Sequence, residues 1–262
     1  MIQERTRRPC KLCTGQSEHL YVIQGIPYYS CPRCDFLQNF YWEDHEHGER
    51  AQVVTNEEAR ARLWQAGDPK QMREKGWEML GLMTSPVAWT SRTVHTLLKR
   101  VPAYEEWTKR RAKTRLRRLL DFGCGHGVIV RELRKEGVEI IGVDPFSPTS
   151  HPSILRTSLP EAHIPAGTFD GIFTIEVMEH IPNVLETFVE LRRILRPGGV
   201  LLVQTRRLED PEYVRERDHW FYLQEPQTHV SIYSVTAMRR IAERAGFRSV
   251  AFRGVKLARF LK

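Results

Sequence analysis

From Leu116 onward, runs dense in Leu, Ile, Val and Phe recur: LRRLLDF from Leu116, EIIGVD from Glu139, FDGIFTI from Phe169, GGVLLVQT from Gly198, SVAFR from Ser249 and KLARFL from Lys256. Their length and composition predict strands. Between them VIVRELRKEG, VLETFVELRRIL and VTAMRRIAERAG place apolar residues three and four apart and predict helices. The first and last of these close on Gly137 and Gly246, where a left-handed residue ends a helix. This alternation predicts an α/β domain with a mainly parallel sheet covered on both faces.

Upstream the pattern turns helical from about Asn56 to Arg111. NEEARARLWQA opens on Asn56 as an N-cap, and GWEMLGLM and RTVHTLLKRV carry helical spacing. Turn signals interrupt at Gly67-Asp68-Pro69, Ser85-Pro86 and Val101-Pro102. The chain is expected to divide into a cysteine-bearing segment over 1–47, a helical connector or lid over 48–115, and the α/β domain over 116–262. No internal repeat or low-complexity stretch is present.

With 262 residues and 41% hydrophobic content, the chain can bury one full α/β core plus a small appendage. No run approaches about 18 consecutive apolar residues. The N-terminal MIQERTRRPC is charged and leads into cysteines instead of an apolar leader. A soluble, cytoplasmic protein without membrane insertion is expected; nothing in the pattern sets its oligomeric state. A formal charge of +8 and a pI near 9.4 point to an anionic partner, whether nucleic acid, an acidic small molecule or a membrane surface. The densest basic run, Lys109 to Arg118, could track a phosphate backbone, but without an interleaved aromatic platform it reads more readily as a solvated helix face.

Four of the five cysteines form Cys10-x-x-Cys13 and Cys31-x-x-Cys34. Two such knuckles can complete a tetrahedral thiolate shell at roughly 2.3 Å per bond, the arrangement of a zinc ribbon. Two disulfides are the competing reading, disfavoured where thiols stay reduced. With all four positions filled by protein, a zinc ion here would be structural. Tyr28, Tyr29, Phe36, Phe40, Tyr41 and Trp42 crowd the second knuckle, either to pack the ribbon on its neighbour or to recognise a partner.

After the first strand of the α/β domain comes Asp121-Phe-Gly123-Cys-Gly125-His-Gly127, directly before a helix. Such glycines permit a tight turn and close ligand approach, and the helix start offers free N–H groups. Asp144 ends the next strand, where a carboxylate can take the hydroxyls of a ribose. Together they predict a nucleoside cofactor; Cys124 reads as a packing residue. The motif resembles the first motif of class I S-adenosylmethionine-dependent methyltransferases. SLPEAHIPAGTFDGI resembles that family's passage from third to fourth strand, LRRILRPGGVLLVQT its turn and fifth strand, and SVAFR with KLARFL its terminal antiparallel hairpin. The resemblance spans roughly Leu116 to Lys262. It implies a Rossmann-like seven-stranded methyltransferase sheet, with the methionine part of S-adenosyl-L-methionine against Asp121, Gly123 and Gly125. The ribose would lie on Asp144 and the adenine near Pro145, Ser158 and Leu159. Ser158 departs from the pattern, since many members place an aspartate there.

TIEVMEHIPN, from Thr174 to Asn183, sets Glu176, Glu179 and His180 at the carboxyl edge of the expected fourth strand. In a helical turn these would share one face. Two carboxylates and an imidazole facing one way would repel or bind a cation; a metal-free polar pocket is the competing reading. Glu-x-x-Glu-His resembles two metal-dependent O-methyltransferase groups: ubiquinone-pathway enzymes that methylate a catechol, and enzymes that methylate the 2′-hydroxyl at the 3′ end of small RNAs. In the latter a downstream histidine completes the shell, and His229 stands at that position. The resemblance implies a divalent ion (Mg²⁺, Mn²⁺, Fe²⁺, Co²⁺ or Zn²⁺) on Glu176, Glu179, His180 and His229. Glu176, His180 and His229 are then the expected catalytic residues. His219 is a further candidate base or outer participant, and Trp220, Phe221 and Tyr222 are candidate pocket walls.

The function expected is methyl transfer to a hydroxyl of a small molecule with neighbouring oxygens. An RNA methyltransferase using the ribbon and the basic run is the alternative, as is a C-methyltransferase. A non-enzymatic partner-binding module is opposed by the intact glycine loop and Asp144.

Overall fold

A computed structural model describes residues 7–45, 67–85 and 101–262, together with Trp89, Thr96 and Leu98. The helix expected to start at Asn56, most of the one expected over 92–101, and the boundary expected at 47/48 lie outside the described residues.

Seven strands form the main sheet: β5 (Leu119–Phe122), β6 (Ile140–Val143), β7 (Ile154–Leu155), β8 (Phe169–Ile175), β9 (Leu195–Gln204), β11 (Ser249–Arg253) and β12 (Leu257–Leu261). Their spatial order is β11-β12-β9-β8-β5-β6-β7. The five from β5 to β9 run parallel, while β12 joins β9 antiparallel and β11 closes the hairpin. Every apolar run read as a strand becomes one. β7 was not among them, because two residues are too few for a periodicity to register.

Successive side chains of a strand face opposite ways, and here both ways are covered. Leu120, Ile172 and Leu201 pack with Phe188 and Leu191 of α5 (Val184–Ile194) and with Met238 and Ile241 of α7 (Val235–Ala245). Their neighbours Leu119, Phe173 and Leu202 pack on the other side. There they meet Met79 and Met83 of α2 (Pro69–Thr84), Ala112 of α3 (Pro102–Arg115), and Ile129 and Leu133 of α4 (Val128–Lys135). The helix ends follow local chemistry. Asp68 caps α2 by accepting from the Gln71 N–H at 2.9 Å, Ser234 caps α7 through the Ala237 N–H at 2.9 Å, and Gly137 and Gly246 take φ of 80° and 79°.

The N-terminal residues form a second, antiparallel sheet from β1 (Arg7–Pro9), β2 (Gln16–Ile23), β3 (Ile26–Cys31) and β4 (Phe36–Asn39). Its fifth strand comes from the other end of the chain: β10 (Ser231–Ile232) pairs with β4 in the register Ser231 to Gln38 and Ile232 to Leu37. Cys10, Leu12, Cys31, Cys34 and Phe36 pack in the same apolar cluster as Tyr233, Ala237 and Met238. The small sheet therefore shares a core with the α/β domain.

Most of the basic run lies on α3, which buries only Ala112. Lys109 pairs with Glu105 and, with Lys113, lies over the Trp77 ring, while Arg111 donates to the Thr84 carbonyl. The run ends at the amino end of β5, where the Arg117 and Arg118 N–H groups donate to Asp170. Among the described residues, no helix is long and apolar enough to cross a membrane.

Candidate active site and metal clusters

β5 ends at Phe122, and the chain turns through the glycine loop into α4. Gly123, at φ 74°, lies so close to Val177 that an added Cβ would come within 2.3 Å of Val177 Cγ2. Gly125, at φ 52°, faces open space, leaving bare backbone for a ligand to approach. Asp144 reaches across from β6: one oxygen accepts from the Gly125 N–H and the other from the Phe146 N–H, both at 2.8 Å. Asp121 is buried beneath the loop, and burial, then the charge of Asp144, push its carboxyl up to about 8. Cys124 is pressed against Gly142, and its thiol is raised by burial, as befits a packing residue.

Pro145 is exposed beside Phe146, itself an exposed aromatic. Leu159 is buried in the cluster that holds Val143 and Ile164. The Ser158 hydroxyl donates to Glu161 at 2.7 Å, so a local carboxylate already engages it.

At the end of β8 the chain kinks. Glu176 takes φ 51°, and the next turn is a short 3-10 helix over Met178–His180. A helical turn beginning at Glu176 is thus replaced by a left-handed residue followed by a tighter turn. Between the two, Val177 packs on Gly123, setting this turn against the cofactor loop.

Glu179, His180 and His229 converge, each offering one ligand atom within 4.8 Å of the others. The His180 Nδ1–H donates to the Thr228 carbonyl at 2.9 Å and the His229 Nδ1–H to the Tyr222 carbonyl at 2.5 Å. Carbonyls accept and never donate, so each ring is held with Nε2 as the free lone pair when neutral. The ring centroids lie 4.8 Å apart. Burial lowers both imidazoles, keeping them neutral donors. Glu179 is 1% exposed. Its Oε2 accepts from Thr205 Oγ1 at 2.8 Å, whereas its Oε1 is buried without a hydrogen-bond partner and stands 4.0 Å from His180 Nε2. Burial, then the charge of Glu176, push Glu179 up to about 7. An orphaned buried carboxylate oxygen beside two fixed imidazole lone pairs is a two-histidine, one-carboxylate donor set that fits a divalent cation.

Glu176 lies outside this group of three. Its Oε2 accepts from the Tyr222 hydroxyl at 3.0 Å, which also contacts Thr205 Oγ1 at 3.1 Å, and its Oε1 accepts from Gln204 at 3.3 Å. His219 stands apart: its side chain is 87% exposed and contacts Asp218. Of the three aromatics after it, Trp220 is core, Phe221 is exposed under the Arg206 guanidinium, and Tyr222 enters the site.

Thr205 and the hydroxyl role of Tyr222 escaped the sequence reading. Thr205 follows the fifth parallel strand, so the rule that open α/β sheets work at their carboxyl edge could have found it. Nothing local marks Tyr222.

In the N-terminal sheet Cys10 Sγ lies 3.6 Å from Cys34 Sγ, and Cys13 Sγ 3.4 Å from Cys31 Sγ. A disulfide needs about 2.05 Å, and all four thiols are free. Four sulfurs around one ion at roughly 2.3 Å would lie about 3.8 Å apart, close to the separations found. The hydrogen bond with Cys34 draws Cys10 down to about 5, whereas burial pushes Cys31 up to about 11. Buried thiols in mutual contact ionise together only around a cation.

Comparison with known proteins matches residues 90–251 to the methyltransferase domain family. A tRNA U34 carboxymethyltransferase of Citrifermentans bemidjiense is 32% identical over 160 residues, 52% of this chain and 46% of that protein. A ubiquinone biosynthesis O-methyltransferase of Cereibacter sphaeroides is 33% identical over 101 residues, 34% of this chain and 40% of that protein. The solved structure of an S-adenosylmethionine-dependent methyltransferase from Archaeoglobus fulgidus is 23% identical, covers 60% of this chain and 70% of its own, and aligns with a TM-score of 0.43. The chain spans about half the length of the curated relatives it matches. The family match covers more than half of the residues, and the sheet order and glycine loop agree with it: the chain belongs to the methyltransferase domain family, in its class I, S-adenosylmethionine-dependent form.

Proposed function

We propose that the protein transfers a methyl group from S-adenosyl-L-methionine to a hydroxyl of a small molecule bearing neighbouring oxygens, with a divalent metal held by Glu179, His180 and His229. The observation that carries this reading is the convergence of two carbonyl-fixed imidazoles on the unpartnered Glu179 Oε1 beside the glycine loop. When bound there, a divalent ion supplies Lewis-acid acidification of the acceptor hydroxyl. S-adenosylmethionine supplies the methyl group.

The chain's own residues do the rest. Gly125 leaves room for the cofactor, Gly123 lets Val177 pack against the loop, Asp121 and Asp144 line that loop, and Pro145, Ser158 and Leu159 form the adenine side. Thr205 fixes the Glu179 carboxylate, and Tyr222 holds Glu176 on the same edge, outside the three-residue donor set. The four thiols of Cys10, Cys13, Cys31 and Cys34 hold a structural Zn²⁺.

Replacing His229 or Glu179 by Ala should abolish turnover of a catechol-type acceptor while leaving S-adenosylmethionine affinity within about twofold by calorimetry. Full activity after chelation with the ribbon still loaded would sink the metal reading. The likeness to tRNA U34 carboxymethyltransferases over 160 residues favours RNA as the second reading. A salt titration separates the two: RNA affinity falling steeply with ionic strength supports it, and no binding at low salt ends it.

A further inference from the structure

Residues 224–232 carry His229 and are held from the N-terminal sheet, its β2 to β3 turn and the short helix after β4 by hydrogen bonds aimed at their carbonyls. The Tyr28 hydroxyl donates to the His229 carbonyl at 2.7 Å, and Asn39 Nδ2 to the Pro226 carbonyl at 2.8 Å and the His229 carbonyl at 3.4 Å. Trp42 Nε1 donates to the Gln227 carbonyl at 2.8 Å and Gln24 Nε2 to the Gln224 carbonyl at 2.7 Å. The Asn39 N–H adds a bond to the Val230 carbonyl at 3.1 Å, and the β4 to β10 pairing follows at once. From the other side, the Val230 N–H donates to the Glu179 carbonyl at 2.9 Å, and Thr228 offers the carbonyl that orients His180. One short segment thus carries one imidazole and orients the other, clamped between the small sheet and the Glu179-His180 turn.

Tyr28 and Asn39 lie on β3 and β4, the hairpin that Cys31 and Cys34 close. We infer that this hairpin is the positioning element of the metal centre, with Tyr28 the positioning residue that sets His229. The inference rests on the metal reading above and deepens it: the cysteine cluster reaches the second centre through Tyr28 and Asn39, whose bonds go to the backbone of the segment that carries His229. Tyr28 is fully buried, so losing its hydroxyl leaves the His229 carbonyl with only the longer Asn39 contact. Outer partners of metal-bound histidines typically govern about 10- to 100-fold in metal affinity, and an effect passed through the backbone belongs at the lower end.

The test uses the zinc-loaded full chain and Mn²⁺ alone as the probe, followed by electron paramagnetic resonance of the free ion. Mn²⁺ prefers the mixed oxygen and nitrogen site to the thiolates. Wild type should take up one Mn²⁺. Tyr28→Phe should bind it about tenfold more weakly, with S-adenosylmethionine affinity unchanged. Trp42→Phe, which removes the donor to the Gln227 carbonyl, should weaken Mn²⁺ in the same direction and serves as the readout if Tyr28→Phe does not fold. Equal Mn²⁺ affinity in variant and wild type overturns the positioning role, as does a parallel loss of cofactor affinity, which would mark a merely structural contribution. Wild type that takes up no Mn²⁺ overturns the metal reading itself, and this inference with it.

Discussion

Substituting Glu179→Gln should make the metal-free protein more stable above neutral pH while abolishing metal binding. The carboxyl is buried and its pKa rises from the ordinary 4.5 to about 7. A raised folded-state pKa means that the folded chain binds the proton more tightly than the unfolded chain. The associated stability is fully present below about pH 4.5 and is lost as pH rises through about 7. At about 1.36 kcal/mol per tenfold change in proton affinity, the rise from 4.5 to about 7 amounts to about 3 kcal/mol lost by pH 8, but less than about 1 kcal/mol at pH 5. Glutamine cannot ionise; its oxygen can keep the Thr205 bond and its amide can donate toward the imidazole lone pairs. The advantage of the variant over wild type should therefore grow by about 2 to 3 kcal/mol between pH 5 and pH 8. Urea unfolding of zinc-loaded, otherwise metal-free protein at the two pH values measures it. Excess Mn²⁺ should then stabilise wild type and not the variant, since only an ion-bound carboxylate gains from ionising. A variant less stable than wild type at pH 8, or a difference that does not change with pH, would refute the reasoning.

Three further outcomes are expected. Asp144→Asn keeps the shape but removes the charge beside the Gly125 N–H, and should weaken S-adenosylmethionine by about tenfold or more in calorimetry, since charge-assisted bonds are worth about 1.5 to 3 kcal/mol. Gly123→Ala places a Cβ 2.3 Å from Val177 at a positive φ, and should lower stability by about 2 kcal/mol or more, read from the thermal midpoint. On the proposed zinc assignment, removing the ion from the cysteine cluster should unfold more than the ribbon, because Cys10, Cys31 and Cys34 share a core with α7; loss of helical circular dichroism together with cofactor binding is the expected result.

What the sequence could disclose follows from how far apart the interacting groups lie. Leu119 and Leu120, or Ile172 and Phe173, are adjacent residues buried on opposite faces, so the doubly covered sheet is written into local apolar runs and could be read residue by residue. The cysteine pairs and the glycine loop are equally local, since each sets its chemistry within three to seven positions. The candidate metal centre differs in kind. His229 drew attention only through a resemblance, and what makes its ring a donor is a carbonyl seven residues upstream, a group every residue possesses. Its placement depends on Tyr28, about two hundred positions away, and on β10, whose two residues carry no period of their own. Helical spacing put Glu176 on one face with Glu179 and His180, yet a single left-handed residue breaks that face and hands Glu176 to Tyr222. Residue types and spacing thus identify which side chains can bind a cation, while backbone acceptors and a distant hairpin decide which of them point at one another. For the same reason Tyr28→Phe and Glu179→Gln test different things: the first leaves every donor atom of the site in the chain and disturbs only where they stand, the second leaves the backbone and both imidazoles where they are and replaces a carboxylate oxygen that could hold the ion with an uncharged amide nitrogen.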